Sequence, residues 1–300
     1  MVNDITNAEY RCGSIAIVGR PNVGKSTLLN HLIGQKISIT SRKAQTTRHR
    51  LRGILTHSDC QYIFIDTPGY QKKYNNILNK SMNKSVTNTL IEADAIVMVI
   101  DKLNWTPEDE AILTKIEKRK PILVINKIDL VKDKQLLLPF LEKLNSRNLF
   151  SSIIPLSAQK DHGFDALLKE LKILLPICPP LFSEDDITDA QIKFLASEFI
   201  REQLFRFLGD ELPYATTVVI DKFTEEPTLT RIYATILVNH ANQKAIVIGN
   251  KGEKLKEIGT HARVNIERIL DTKVYLELWV KVKSGWAESE ISLRQLGYEV

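Results

Sequence analysis

Ile15-Ala16-Ile17-Val18-Gly19-Arg20-Pro21-Asn22-Val23-Gly24-Lys25-Ser26-Thr27 reads as a buried strand, a loop bounded by glycines and the first turn of a helix. The loop fits the pattern Gly-x4-Gly-Lys-Ser, with the strand before it and the helix (Ser26 to Ile33) after it that the pattern requires. Gly19 and Gly24 let the backbone N–H groups of the loop, those of Asn22, Val23 and Thr27 among them, curl around phosphates. The helix N-terminus adds a favourable dipole. Lys25 is the candidate to neutralise β and γ phosphates, and the Ser26 hydroxyl the candidate to bind magnesium. A glycine-rich turn with a solvated lysine is the bland alternative, and it leaves the strand and the helix unaccounted for.

Four further apolar runs follow: Tyr62 to Ile65, Ala95 to Ile100, Ile122 to Ile125 and Ile153 to Leu156. Longer polar, helix-like stretches separate most of them. Continuous apolar runs suit strands buried on both faces, so the first half is expected to be an open α/β domain with a mostly parallel sheet. Arg50 to Thr56 is more polar and lies just before Tyr62, which predicts a hairpin and one antiparallel edge strand.

Ligands bind outside the C-terminal ends of such strands. Polar residues arrive there in a telling order. Asp66-Thr67-Pro68-Gly69 ends one run: an acid can hold magnesium through a water, and the Gly69 N–H can meet a γ-phosphate. Asn126-Lys127-Ile128-Asp129 ends another. A carboxylate at Asp129 accepts from N1–H and the 2-amino group of guanine, a donor pair that adenine lacks. Ser157-Ala158 ends a third and can offer a backbone N–H to guanine O6. Between Ser38 and Arg52, a threonine should reach magnesium and the γ-phosphate when GTP is bound. Thr47 is preferred and Thr46 is the fallback. Ser26, Thr47 and Asp66 are thus the expected magnesium ligands. Lys25, Thr47 and Gly69 are the groups expected to act on the γ-phosphate. The position after Gly69, where a catalytic glutamine would be expected, is Tyr70, so intrinsic hydrolysis should be slow. Arg20 and Arg48 are the arginines near the site. Asn22 is a candidate ligand for a monovalent cation beside the phosphates. Potassium should then stimulate hydrolysis more than sodium, and equal rates would remove the idea.

The 300 residues suffice for two cores. No run of about 18 apolar residues exists, and Met1 to Arg11 lacks a secretory pattern. Cys12, Cys60 and Cys178 lie far apart, with neither metal nor disulfide spacing. The first 175 residues carry +9, residues 176–190 carry −4 and residues 191–300 are neutral. The middle stretch has three prolines and reads as an extended, semi-rigid linker, with Asp189 a possible cap for the next helix. The expected division is 1–175, a linker at 176–190, and 191–300.

The last part reads helix, strand, strand, helix, helix, strand. Gly249-Asn250-Lys251-Gly252 joins the two later helices. Gly-x-x-Gly in that setting is the loop that clamps a nucleic-acid backbone in KH domains. Ile248, Gly249, Asn250, Lys251, Gly252 and Lys254 are the candidate RNA contacts. Ile246, Ile248 and Leu255 are expected to line an apolar groove, and Lys244, Lys256 and Arg263 make the patch locally basic. An ordinary helix–helix turn is the alternative for the tetrapeptide alone. Phe64, Trp105, Trp279 and Trp286 are the candidates to stack on bases; of these Phe64 and Trp279 are expected in the core instead, and Trp105, in a polar loop, is unassigned.

Together these motifs resemble the Era family of bacterial GTPases. The resemblance also covers Gln-Thr-Thr-Arg-His-Arg at 45–50, Phe-Leu-Gly-Asp-Glu-Leu-Pro-Tyr at 207–214 and Leu-Glu-Leu-Trp-Val-Lys-Val-Lys at 276–283. It implies a Ras-like P-loop GTPase domain followed by an α+β type II KH domain, with GTP, GDP and Mg2+ as ligands. It further implies binding at the 3′ end of small-subunit ribosomal RNA and a role in maturing that subunit. A cytoplasmic protein with loose, peripheral contact to the inner membrane is likewise implied. Competing readings are a signalling GTPase that uses the KH fold to dock a protein, and a KH unit that holds single-stranded DNA. A monomer is expected.

Overall fold

A computed structural model of the chain describes residues 10–70, 77–160, 162–209 and 212–298. Of Met1 to Arg11, only Tyr10 and Arg11 fall among them. The described residues divide into two compact units. The first comprises the described parts of Met1–Ile37, Thr47–Lys73 and Asn83–Asp189, and the second those of Ser38–Thr46, Tyr74–Met82 and Ala190–Val300.

The first unit is built on six strands in the order β2-β3-β1-β4-β5-β6. They are β1 (Arg11–Val18), β2 (Leu51–His57), β3 (Cys60–Asp66), β4 (Ala95–Asp101), β5 (Ile122–Asn126) and β6 (Ser152–Pro155). All pairings are parallel except β2 with β3, the expected hairpin. Every residue of β3 and β5 is buried, as the unbroken apolar runs require. Pro155 is tolerated because β6 is an edge strand. From β1 the chain goes to one side of it (β2, β3), and from β3 it crosses to the other (β4, β5, β6), which makes the C-terminal end of β1 the switch point of the sheet. Helices α1 (Lys25–Ile33), α3 (Pro107–Ile116), α4 (Leu137–Asn145) and α5 (Phe164–Leu174) complete the α/β pattern with the part of α2 (Ile77–Glu92) from Asn83 onward, the first turns of α2 belonging to the second unit.

The proline-rich stretch does not stand free of this unit. The Cys12 N–H donates to Pro176 O (3.1 Å) and the Cys178 N–H to Tyr10 O (3.0 Å). Farther on, the buried Gln61 amide accepts from the N–H groups of Leu181 and Phe182 at 2.8 and 3.0 Å. Ile187 O takes the Ile54 N–H at 2.9 Å, which covers the outer edge of β2. Asp189 accepts from Arg52 at 2.8 Å and caps nothing: the next helix starts after Gln191, without a side-chain cap. An acid two residues early has a cation closer to hand than the helix end.

The second unit packs α6 (Ile192–Phe207), α7 (Ala241–Ile248) and α8 (Glu253–Leu270) on one face of a sheet ordered β7-β8-β9. Its strands are β7 (Thr216–Glu225), β8 (Leu229–Val238) and β9 (Lys273–Val282). β7 and β8 are antiparallel, β8 and β9 parallel. Leu195, Phe199 and Ile200 of α6 are buried with Ile232, Ala234 and Ile236 of β8 and Ile258, Ala262 and Ile266 of α8. Helix α9 (Glu290–Gln295) follows. It helps enclose Trp286, which is fully buried in a cluster with Leu78, Met82, Leu293 and Tyr298. Trp279, expected in the core, is 44% exposed. Its strand alternates, and it falls on the face away from the helices.

Candidate functional site

Gly24 caps the start of α1 at φ 100°, and a Cβ there would stand 2.3 Å from the Asn126 amide nitrogen. Only glycine lets the loop come so close to the end of β5. The first turn of α1 holds no acid, so its N-terminal N–H groups remain suited to an anion. Lys25 folds back along the loop: its ammonium donates to Gly19 O (3.0 Å) and Arg20 O (2.9 Å). Burial pushes its pKa down to about 8, with Asp66 acting against the shift and Arg20 with it.

Three oxygens converge beside Lys25. Ser26 Oγ lies 2.6 Å from Asp66 Oδ2 and 2.9 Å from Thr47 Oγ1, and the last two are 3.5 Å apart. Two hydroxyls and one carboxylate form a hard, all-oxygen set that fits magnesium, an ion usually held by one or two carboxylates together with substrate phosphates. Thr46 is placed elsewhere. Its hydroxyl bonds Ser41 Oγ (2.7 Å) and Lys43 O (2.8 Å).

Asn126 acts as a staple. Its Nδ2 donates to Val23 O (2.9 Å), and its Oδ1 accepts from the N–H groups of Lys127 (2.7 Å) and Ala158 (3.0 Å). One buried amide therefore ties the phosphate loop to the Ser157–Ala158 turn. Lys127 donates to Asn22 O at 2.6 Å, with its own backbone left-handed at φ 60°. Ser157 Oγ donates to Asp129 Oδ1 at 2.5 Å, which orients that carboxylate. Asn22 is exposed in the loop at φ 64°. Among the cofactor candidates, Gly19, Val23, Thr27 and Gly69 belong to the same strand-end cluster, with Pro21 backbone atoms about 2.9 Å from where a Gly69 Cβ would be.

The two arginines near the site are engaged in the fold. Arg20 Nε donates to both oxygens of the buried Asp109 at 2.8 Å, and Asp109 also closes the capping box of α3 with Thr106. Arg48 is buried. Tyr70 packs against the apolar cluster of β4 and α3, with the Lys115 ammonium 5.3 Å from its ring. Arg20 is thus held by Asp109 and Tyr70 by the apolar cluster.

In the second unit, Gly249 (φ 72°), Lys251 (φ 46°) and Gly252 (φ 82°) make the turn between α7 and α8. Nothing lies within 4 Å of a Cβ built on Gly252, so the turn presents open backbone. From Gly252 a groove of about 350 Å³ runs between Leu255, Lys256 and Arg263 of α8 and Leu276 and Leu278 of β9. Asn250 and Lys251 are exposed at its head, whereas Ile246 and Ile248 are not in its wall. Leu276, Leu278 and Gly259 were not anticipated. An isolated glycine inside α8 was the available signal: its position faces Leu278 at 3.4 Å from a built Cβ.

Family models match both halves: a 50S ribosome-binding GTPase over residues 14–127 and a KH domain over 211–287. GTPase Era of Nitrosomonas eutropha is 52% identical over 97% of this chain and 98% of its own length. GTPase Era of Stenotrophomonas maltophilia is 49% identical over 97% and 98%. Among solved structures, an Aquifex aeolicus Era variant bound to GDP and AlF4− superposes with a TM-score of 0.93, at 40% identity over 97% of this chain and all of that one. Era in complex with MgGDPNP and nucleotides 1506–1542 of 16S ribosomal RNA gives 0.93 at 41%, with the same coverage.

Proposed function

Because this chain belongs to the Era family of GTPases, we propose that it is a GTP-hydrolysing switch that holds single-stranded RNA at the 3′ end of small-subunit ribosomal RNA and assists maturation of that subunit. Residues 1–175 take the nucleotide, residues 191–300 the RNA, and 176–190 join them. The loop Gly19–Thr27 cradles the phosphates, with Lys25 neutralising them. Asp129 selects guanine, oriented by Ser157, while Lys127 and Ala158 complete the base site. Ser26, Thr47 and Asp66 are the residues that would hold magnesium, which when bound supplies positive charge beside the β and γ phosphates. The N–H of Gly69 meets the γ-phosphate. The position after Gly69 is Tyr70, which packs in the apolar cluster where a catalytic glutamine would orient the attacking water, and the intrinsic rate is slow. Ile248, Gly249 to Gly252 and Lys254 hold the RNA backbone.

The observation that carries the switch is the position of Thr47. The segment before it belongs to the second unit, in which Arg201 donates to Thr46 O (2.5 Å), Thr40 N–H to Glu202 (3.1 Å) and Lys43 to Leu208 O (2.6 Å). Thr47 itself belongs to the first unit and stands at the magnesium oxygens. One peptide bond separates the two sets of contacts. The solved relative that holds 16S ribosomal RNA nucleotides supports the RNA assignment.

The test is a titration of a short RNA copied from that 3′ end, at fixed salt, with GTP analogue or GDP bound. Binding at least about fivefold tighter with the analogue is expected, and by reciprocity RNA should raise GTP affinity equally. Equal and weak binding in both states means that this RNA is not the partner, and the protein-docking reading takes its place. Among the described residues no helix is long and apolar enough to cross a membrane. A cytoplasmic protein with peripheral contact to the inner membrane face rests on family likeness alone.

Lys25 gives a second test. Phosphates favour its charged form, so the bound state holds more protons than the free state near and above pH 8. GDP affinity should therefore fall as pH rises through about 8. Calorimetry near pH 8 should show net proton uptake on GDP binding, read from buffers of different ionisation enthalpy. Heats independent of buffer would refute this assignment.

A further inference from the structure

Successive residues of a strand point to opposite faces. On β9, Leu276 and Leu278 turn towards α8, and Tyr275, Glu277 and Trp279 turn away from the helices. The register with β8 sets Arg231 beside Tyr275 and Tyr233 beside Glu277. The Tyr233 ring lies 6.1 Å from that of Trp279 with planes 17° apart, and 5.9 Å from that of Tyr275. Arg231 lies over Tyr275 at 5.7 Å. Tyr275 and Trp279 are 42% and 44% exposed. Lys222 of β7 pairs with Tyr233, and Lys281 follows on β9; both are exposed. Three acids stand against these cations. Glu277 accepts from the Tyr275 hydroxyl (3.0 Å), Asp221 from Thr235 (2.6 Å) and Glu226 from Arg231 (2.8 Å).

We propose that this outer face of the sheet is a second contact for single-stranded RNA, on which bases leaving the groove stack against Trp279, Tyr233 and Tyr275. The proposal rests on the RNA reading of the groove. Two observations point to RNA as the occupant. Glu277 stands between the two exposed aromatics and also in the wall of the groove, so one strand borders both surfaces and a chain crossing β9 passes directly from one to the other. The exposed rings, with a guanidinium and lysines at their margin, present flat π surfaces and nearby positive charge. That combination suits stacked bases with their phosphates, in a way that tolerates many sequences. Arg231 and Lys222 are the cations placed for those phosphates.

The experiment compares two RNAs on the full chain. One is a tetranucleotide, long enough for the groove alone. The other is a 3′-end RNA of about twelve nucleotides that contains it. In the Tyr275→Ala, Trp279→Ala double variant, affinity for the longer RNA should fall at least about tenfold. Affinity for the tetranucleotide should stay within twofold, which also reports that the domain is folded. Trp279→Phe, which keeps a stacking ring, should retain most of the longer RNA's affinity. Affinity for the longer RNA within twofold of the parent chain in the double variant overturns the proposal. So does a variant that loses isolated small subunits in sedimentation but keeps its affinity for free RNA, since the face then docks a protein. If the parent chain binds neither RNA, the reading of the groove fails first and this proposal falls with it.

Discussion

Asp129→Asn should weaken GTP binding by about three orders of magnitude and confer binding of xanthosine triphosphate. One oxygen of this carboxylate is held by Ser157 at 2.5 Å, so its plane is set before a base arrives. Guanine presents two N–H donors to it, and each charge-assisted hydrogen bond contributes about 1.5–3 kcal/mol. An asparagine turns one acceptor into a donor. It loses one bond, weakens the other and sets an N–H against an N–H. Together these reach about 4 kcal/mol, a thousandfold. Xanthine carries a carbonyl where guanine has the 2-amino group, and the new amide can donate to it. Equilibrium binding and hydrolysis of both nucleotides would decide it. GTP affinity within tenfold of the parent chain would show that Asp129 does not read the base.

Replacing Asn250 and Lys251 together by aspartate should weaken RNA binding about a hundredfold and leave GTP hydrolysis without RNA unchanged. Both side chains are exposed and both glycines stay, so the turn keeps its form. Lys251 has φ 46°, a left-handed conformation that aspartate tolerates better than most residues. The loop goes from one positive charge to two negative ones beside a phosphate. At about 6 Å and an effective dielectric of about 20, each unit of charge is worth roughly 3 kcal/mol. Screening on an exposed loop brings the total for three down to about the same figure. RNA affinity within threefold of the parent chain, measured at fixed salt, would remove the clamp from this turn.

Much of the nucleotide site was legible because its residues are local in sequence. Gly19 to Ser26, Asp66 to Gly69 and Asn126 to Asp129 each sit where a buried apolar run ends, and a parallel sheet brings such ends to one side. The choice of Thr47 over Thr46 was a preference between neighbours. In the fold the Thr46 hydroxyl is taken by Ser41 and Lys43, and Thr47 lies at Ser26 and Asp66.

By itself the sequence determined the order of elements, the phosphate loop and the acids and amides at strand ends, since each follows from spacing along one short segment. Only the tertiary structure decided which partners meet across long separations. It gave Arg20 to Asp109, Asp189 to Arg52 and the Asn126 amide to Val23 and Ala158. It grouped residues 38–46 with a helix some 160 positions away, through Arg201 and Glu202. It also turned Trp279 outward and Trp286 inward. The physical reason is the same in each case. A charged, amide or aromatic side chain takes whichever partner or cover the packed chain brings within about 3–4 Å, and local pattern carries no record of that distance.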